Sequence, residues 1–322
     1  MPDNPDLLSR PSRHASRIPH LTSDTPALET QALRAFLAVA ESGSFSQAGE
    51  ALHLTQPAVS KRIATLESQL DCRLFDRVSG RAGRKASLTE AGRALLPAAR
   101  RILQDVEDAV RSIRELRGQV AGILSLGISH HIGLHRLPPL LKAYTQRYPE
   151  VTLDIAFLDS EQAYSQVLQG QRDLGVITLA PDNQPPLEQF VVWRDELVIA
   201  VAPGHPLAAK DPIDLATLSA HRAILPGLNT YTGQIITHLF QQHDLPLEAA
   251  MSTHYLESLK MLVSIGLGWG VLPRTLLDDS VRDLTLRGQS LGRELGCVFH
   301  RDRHLSNAAA AFIALLREEA GG

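Results

Sequence analysis

Cysteine is nearly absent: Cys72 and Cys297 are the only two. Two thiols cannot build a disulfide framework, so a reducing, cytoplasmic setting is the expectation. Long hydrophobic runs are missing as well. The longest charge-free apolar stretches, such as Met261 to Pro273, are broken by Gly266, Gly268 and Gly270 and fall short of the ~20 residues a membrane span needs. No membrane partner is expected, and the N-terminus lacks the apolar core of a signal peptide. Motifs of catalysis are lacking too: there is no G-x-S-x-G elbow, no G-x-x-x-x-G-K-[ST] loop and no G-x-G-x-x-G turn. Hydrolase or nucleotide chemistry would have to be cryptic, so neither an enzyme nor a cofactor is expected.

What is there is an ordinary globular composition over an above-average length. With 322 residues, 44% apolar and 21% charged, the chain is long enough for two or more folded units, each with its own core. The net charge of −3 hides an asymmetry. From Gln56 to Gln104 there are ten Lys/Arg against four Asp/Glu, a net of +6; from Gln119 to Gly322 there are fifteen against twenty-one, a net of −6. A basic segment beside an acidic remainder points to a polyanion as partner of the first and not of the second, the plainer alternative being a solvated basic face.

Residues 1–29 carry five prolines and few large apolar groups, which predicts a flexible tail. Three helices are predicted next: one through Leu33, Phe36, Leu37 and Ala40, one from Phe45 to Leu52 and one from Gln56 to Leu70. Ser44-Phe45-Ser46-Gln47 reads as a capping box, with Ser44 accepting from the amide three residues on and Gln47 reaching back. The third helix sets Val59, Ile63, Leu66 and Leu70 on one face and Gln56, Ser60, Lys61 and Thr65 on the other. Pro57 falls in its first turn, where a missing amide proton costs nothing. Two helices joined by a tight turn, the second with a polar N-terminal face, match what a DNA major groove accepts. A plain three-helix bundle satisfies the same helices. Arg77, Arg81, Arg84 and Lys85, in a Gly-containing stretch without apolar periodicity, suit a basic wing lying along phosphates.

From Thr89 the pattern is one long helix. Leu95, Ala99, Ile102, Val106, Ala109, Ile113 and Leu116 alternate by four and three, a heptad seam through which two chains are expected to pair. Twenty-eight residues from Glu90 to Arg117 give about 42 Å of rod. Pro97 should kink it, placing the paired part after that turn.

The run Leu33 to Glu41, Ser44 to Gly49, Leu54 to Ile63, Leu66-Glu67, Leu74 to Arg77 and Leu88 to Gly92 resembles, in order and densely, the winged helix-turn-helix of the LysR-type transcriptional regulators. The stretch before Leu33 is longer than that family's pattern, and the wing between Arg77 and Leu88 is slightly long. The resemblance implies a winged helix-turn-helix over residues 30–88, a dimerising linker helix over 89–118 and an effector-binding domain over 119–322. It implies a homodimer that doubles to a homotetramer on double-stranded DNA, with RNA polymerase as a further partner at the promoter. Gln56, Pro57, Ser60, Lys61 and Thr65 would then meet base edges and nearby backbone, with Arg34 and Ser44 beside them, and Arg77, Arg81, Arg84 and Lys85 would neutralise phosphates.

Beyond Gly118 short β-like runs alternate with helices: Ile123–Ile128, Val151–Phe157, Leu174–Ile177, Leu197–Val201, Ala223–Leu225 and Cys297–Phe299 as strands, with helices through Leu137 to Tyr148, Leu256 to Ile265 and Ala308 to Leu316. Such alternation predicts an α/β fold with mostly parallel sheets, whose ligands sit beyond the strand ends near helix N-termini. The same family resemblance implies two lobes like those of periplasmic solute-binding proteins, lobe I over 120–200 and 286–322 and lobe II over 201–285. The candidate effector walls are Ser129, His130 and His131; Thr178 and Leu179; Gly227, Asn229 and Thr230; and Tyr255 with Gly268. Hydroxyls and amides there suit a small anion or carboxylate, and a histidine adds charge near neutral pH. His131 and His135, four apart, and Cys297 with His300 and His304 have spacings seen among metal ligands, but no third and fourth ligand lies nearby and no metal is expected. A thiol switch is not expected either, since only Cys297 lies in the effector part. Two rival readings remain: a solute-binding protein, opposed by the basic helical head, and an enzyme on an α/β scaffold, opposed by the missing motifs.

Overall fold

The structure is a computed structural model that describes residues 28–76, 86–115, 119–182 and 184–321. The expected tail lies almost entirely outside the described residues, as do Arg77, Arg81, Arg84 and Lys85 of the expected wing. Contacts divide the chain into two compact units, residues 1–99 and 100–322.

The first unit contains α1 (Thr30–Ser42), α2 (Phe45–Ala51), α3 (Gln56–Gln69) and the start of α4 (Glu90–Glu115). Leu33, Phe36 and Val39 of α1 and Val59, Ile63 and Leu66 of α3 are essentially buried, because their three-four spacing puts each set on one helix face. Half of the expected capping box is present: Ser44 Oγ accepts from the Gln47 amide at 3.4 Å. Instead of Gln47 reaching back, Ser42 Oγ accepts from the Ser44 amide at 3.3 Å. At Gly49 a Cβ would stand 2.7 Å from the Leu54 carbonyl, so the tight α2–α3 turn requires glycine there. Pro97 does not end α4, which spans 26 residues or about 39 Å.

The second unit contains β1 (Gly122–Ile128), α5 (His130–His135), α6 (Pro138–Arg147), β2 (Val151–Phe157), α7 (Ser160–Leu168), β3 (Leu174–Thr178), β4 (Leu187–Val201), α8 (Leu215–Ser219), β5 (Ala223–Pro226), α9 (Tyr231–Gln242), β6 (Ala249–Thr253), α10 (Leu256–Ser264), β7 (Trp269–Pro273), β8 (Arg282–Leu284), β9 (Leu291–His300) and α11 (Asn307–Gly321). The strands run in the order β2-β1-β3-β9-β4-β7-β5-β6, with β8 also on β4. The expectation of mostly parallel sheets is corrected here: β1–β2, β1–β3, β5–β6 and β5–β7 are parallel, but β9 and β4 pair antiparallel with each other and with β3, β7 and β8. These two long strands pass between the lobes: β9 runs against β3 in one lobe and β4 runs against β7 in the other. One core gathers Leu124, Leu126, Tyr144, Cys297 and Phe312; another gathers Ile199, Ile236, Phe240, Trp269 and Leu291. Leu197 to Ala200 already pair with β7, so the chain changes lobe near Trp193–Glu196 and returns near Leu291–Glu294. Among the described residues no helix is long and apolar enough to cross a membrane.

Candidate nucleic-acid interface and effector cleft

Helix α3 turns its apolar stripe inward and leaves Gln56, Pro57, Lys61 and Thr65 exposed, with Ser60 half-buried. Gln56 Nε2 donates to Ser60 Oγ at 2.9 Å, and Thr65 Oγ1 donates to the Lys61 carbonyl at 3.0 Å. The result is a ridge of short polar groups and one ammonium on a rigid helix, the chemistry that reads base edges. Arg34 is exposed on α1, and Ser44 serves as the cap of α2.

Glu67 is a buried carboxylate to which the sequence motif assigns no role. Its side chain is 10% exposed. Oε1 accepts from the Leu74 amide at 2.8 Å and the Phe75 amide at 3.4 Å, and Oε2 accepts from Arg73 at 2.8 Å. Phe75 in turn bridges antiparallel to Leu88 and packs its ring 5.5 Å from Phe36 and 5.7 Å from Phe45. One buried carboxylate on α3 therefore fixes the Leu74–Phe75 segment, and through Phe75 its bridge to Leu88, relative to α3. The signal was available: Glu67 stands four residues after Ile63, on the apolar stripe, where an unpaired charge would be too costly to keep.

In the second unit, Ser129, His130, His131, Thr178 and Thr230 line one cleft together with Ser160, Tyr231, His254 and Arg293. Its volume is about 60 Å³, room for a few waters or a very small anion. Asn229 is exposed, the Gly227 backbone abuts His254 and Asn229, and the Tyr255 ring meets that of His130 edge-on at 4.9 Å. Leu179 lies instead in a larger cavity of about 1130 Å³, along α9 and the β4–β9 crossing. Gly268 lines neither and presses on the Arg222 carbonyl, 2.4 Å from where its Cβ would be.

Side-chain contacts join the lobes across the cleft. Glu161 Oε1 accepts from the Tyr231 amide at the start of α9, 2.6 Å away. Asp159 Oδ2 lies 2.8 Å from His254 Nδ1. Glu257 Oε1 lies 3.0 Å from His135 Nε2. Thr230 caps α9, accepting from the Gly233 amide at 3.1 Å.

Below the cleft sits a buried ion pair. Asp195 on β4 and Arg293 on β9 are register partners, with side chains 1% and 5% exposed. Arg293 Nε and Nη2 donate to Asp195 Oδ2 at 3.0 and 2.8 Å, and Nη1 donates to Thr232 Oγ1 at 2.9 Å. Arg136 Nη2 approaches the other oxygen at 3.4 Å. His131 is pushed down to about 4 by burial, and next by Arg293, so at neutral pH it is a neutral ring rather than the added charge expected from the sequence. Burial also raises the Cys297 thiol, which keeps it inert.

Residues 30–93 match the model of the bacterial regulatory helix-turn-helix proteins of the lysR family, and residues 117–321 match the LysR substrate binding domain. A probable RuBisCO transcriptional regulator of Synechocystis is 31% identical over 301 residues, covering 90% of this chain and 86% of that protein. The fold is shared with full-length CbnR complexed with its target DNA (TM-score 0.62, 24% identity, 90% of this chain and 99% of that one). It is shared also with the effector binding domain of QuiR in complex with shikimate (TM-score 0.57, 21% identity, 62% and 98%). The ridge on α3, the buried Glu67 brace beneath Leu74 and Phe75 and the two-lobed α/β unit thus come with matches over both parts of the sequence, and the chain belongs to the LysR family of transcriptional regulators, with a DNA-binding helix-turn-helix.

Proposed function

We propose that the protein reads an inverted-repeat operator as a dimer of dimers in the cytoplasm, and that a small anion closing the cleft changes the disposition of the DNA-binding heads and their contact with RNA polymerase. The observation that carries the DNA reading is the exposed polar ridge of α3 opposite fully buried Val59 and Leu66. Gln56, Pro57, Ser60, Lys61 and Thr65 meet base edges and adjacent backbone, Arg34 and Ser44 flank them, and Arg77, Arg81, Arg84 and Lys85 lie along phosphates. Gln56→Ala should cost about 1–3 kcal/mol and relax base preference, whereas Arg84→Ala should weaken all sequences alike and reduce the salt slope by about 1. Gel shifts across operator variants and salt concentrations separate the two, and identical behaviour of both substitutions overturns this division of labour.

An anionic effector is supported by Ser129, Thr178 and Thr230 meeting near the start of α9, and by the Glu161 carboxylate that already accepts from the first amide of that helix. The effector competes with Glu161 for the Tyr231 amide; its leverage equals its differential affinity for the open and closed lobes. The shikimate held by QuiR is a carboxylate of the same chemical class. In a thermal-shift screen of the full chain against small carboxylates, amino acids and inorganic anions, a true effector at 100 times its Kd adds about 2.7 kcal/mol. Stabilisation by neutral compounds alone would remove the anion from the proposal.

A further inference from the structure

Two histidines of α5 and one glutamate of α10 converge on the lobe junction. His131 and His135 stand one helical turn apart with ring centroids 4.9 Å apart. Glu257, far away in sequence, brings Oε1 to 3.0 Å from His135 Nε2 and 3.8 Å from His131 Nδ1. One donor atom from each residue lies within 4.8 Å of the others, and among the described residues this is the one such cluster of His, Cys, Asp and Glu. Donors about 2.0–2.1 Å from a tetrahedral ion stand about 3.3 Å apart, so separations of 3.0 and 3.8 Å already bracket what an ion requires.

The protein alone does not account for this arrangement. The His131 side chain is only 5% exposed, yet neither of its ring nitrogens has a hydrogen-bond partner, and the same holds for Oε2 of Glu257 and Nδ1 of His130. Buried polar atoms are kept in such a state when something else satisfies them. The His135–Glu257 hydrogen bond explains one contact and leaves the buried ring beside it idle. Behind that ring, Asp195 Oδ2 lies 3.9 Å from His131 Nε2, the place of the carboxylate that orients a metal-binding imidazole from its far side. Arg293, the nearest buried cation, is committed to Asp195 and Thr232. His130 Nδ1, 3.8 Å from Glu257 Oε2, is the nearest further nitrogen.

We propose that His131, His135 and Glu257 bind a divalent first-row transition ion of the zinc, cobalt or nickel kind, which ties lobe I to lobe II. Two imidazoles with one carboxylate suit these ions and not magnesium or calcium, which take oxygen ligands. Three protein ligands leave at least one position for water or for a group of the effector. The site does not depend on which anion the cleft takes, so a failed anion screen leaves it standing.

The test uses the full chain, stripped with a chelator and titrated with cobalt(II). One cobalt per chain should give visible d–d absorption that zinc abolishes and millimolar magnesium does not. Ligand loss should cost at least what disturbing an outer-shell partner costs, so His135→Gln and Glu257→Gln should each weaken binding by about 100-fold or more. His300→Gln and His304→Gln should leave it unchanged. X-ray absorption on the zinc-loaded wild type, which needs no variant, should show nitrogen and oxygen ligands with imidazole scattering. Absent cobalt bands, bands that persist in both ligand variants, or a sulfur or all-oxygen shell would each overturn the site.

Discussion

Asp195→Asn is expected to remove about 3–5 kcal/mol from the α/β unit, the cost of leaving a buried charge without its partner. Arg293 has nowhere to go: its side chain is 5% exposed, two of its nitrogens point at one Asp195 oxygen and the third at Thr232. An amide in that place keeps the shape but supplies no negative charge, and Arg136 loses its carboxylate at the same time. At about 2–4 °C per kcal/mol for a domain of this size, the thermal transition of that unit should fall by roughly 10 °C. The double substitution Asp195→Leu with Arg293→Met removes both charges and is expected to be near neutral or stabilising by about 1–4 kcal/mol. Because β4 and β9 cross between the lobes at this pair, the double variant should fold well and respond poorly to an effector. A loss below about 1 kcal/mol in Asp195→Asn would mean that water reaches the pair and that it does not brace the crossing.

Local periodicity made the DNA-binding head readable, and its limits explain what was missed. Val59, Ile63 and Leu66 lie one turn apart within a single helix, so α3 and its exposed ridge followed from spacing alone. The sequence reading takes β4 only from Leu197 onward because the first half, opening Leu187-Glu188-Gln189-Phe190, keeps no period of two and pairs antiparallel with a strand about a hundred residues later. β7 was hidden in the glycine-broken run Met261 to Pro273, where Gly270 leaves no room for a side chain beside Val263 and Leu259. The candidate effector walls lie near strand ends: Ser129 follows β1, Thr178 closes β3 and Thr230, four residues past β5, caps α9. Long-range partners carry no local signature. His131 and His135 were visible as a pair, but Glu257 reaches them only through the packing of one lobe on the other, and Glu161 reaches the start of α9 the same way.

Glutamates at Ile102 and Val106 together are expected to break the pairing of chains through α4 and to lower affinity for an inverted repeat by about 10²–10⁴, the contribution of linking two reading heads. The heptad seam read from the sequence divides in the folded chain. Ala99 and the neighbouring Leu103 are buried, whereas Ile102, Val106, Val110 and Ile113 are 36%, 38%, 44% and 70% exposed. A stripe of branched aliphatics on a charged helix left to water is unfavourable unless a second helix covers it. The glutamates add two charges per chain at the centre of that stripe, where the facing chain adds two more, and the desolvation cost falls on the paired state alone. Sedimentation should show an assembly of half the size or less. Binding to a single half-site should stay within a factor of a few of the wild type, because α3 and its ridge are untouched. If the double variant keeps its assembly and its operator affinity, the exposed stripe is not the pairing surface, and the two heads must be held together by some other part of the chain.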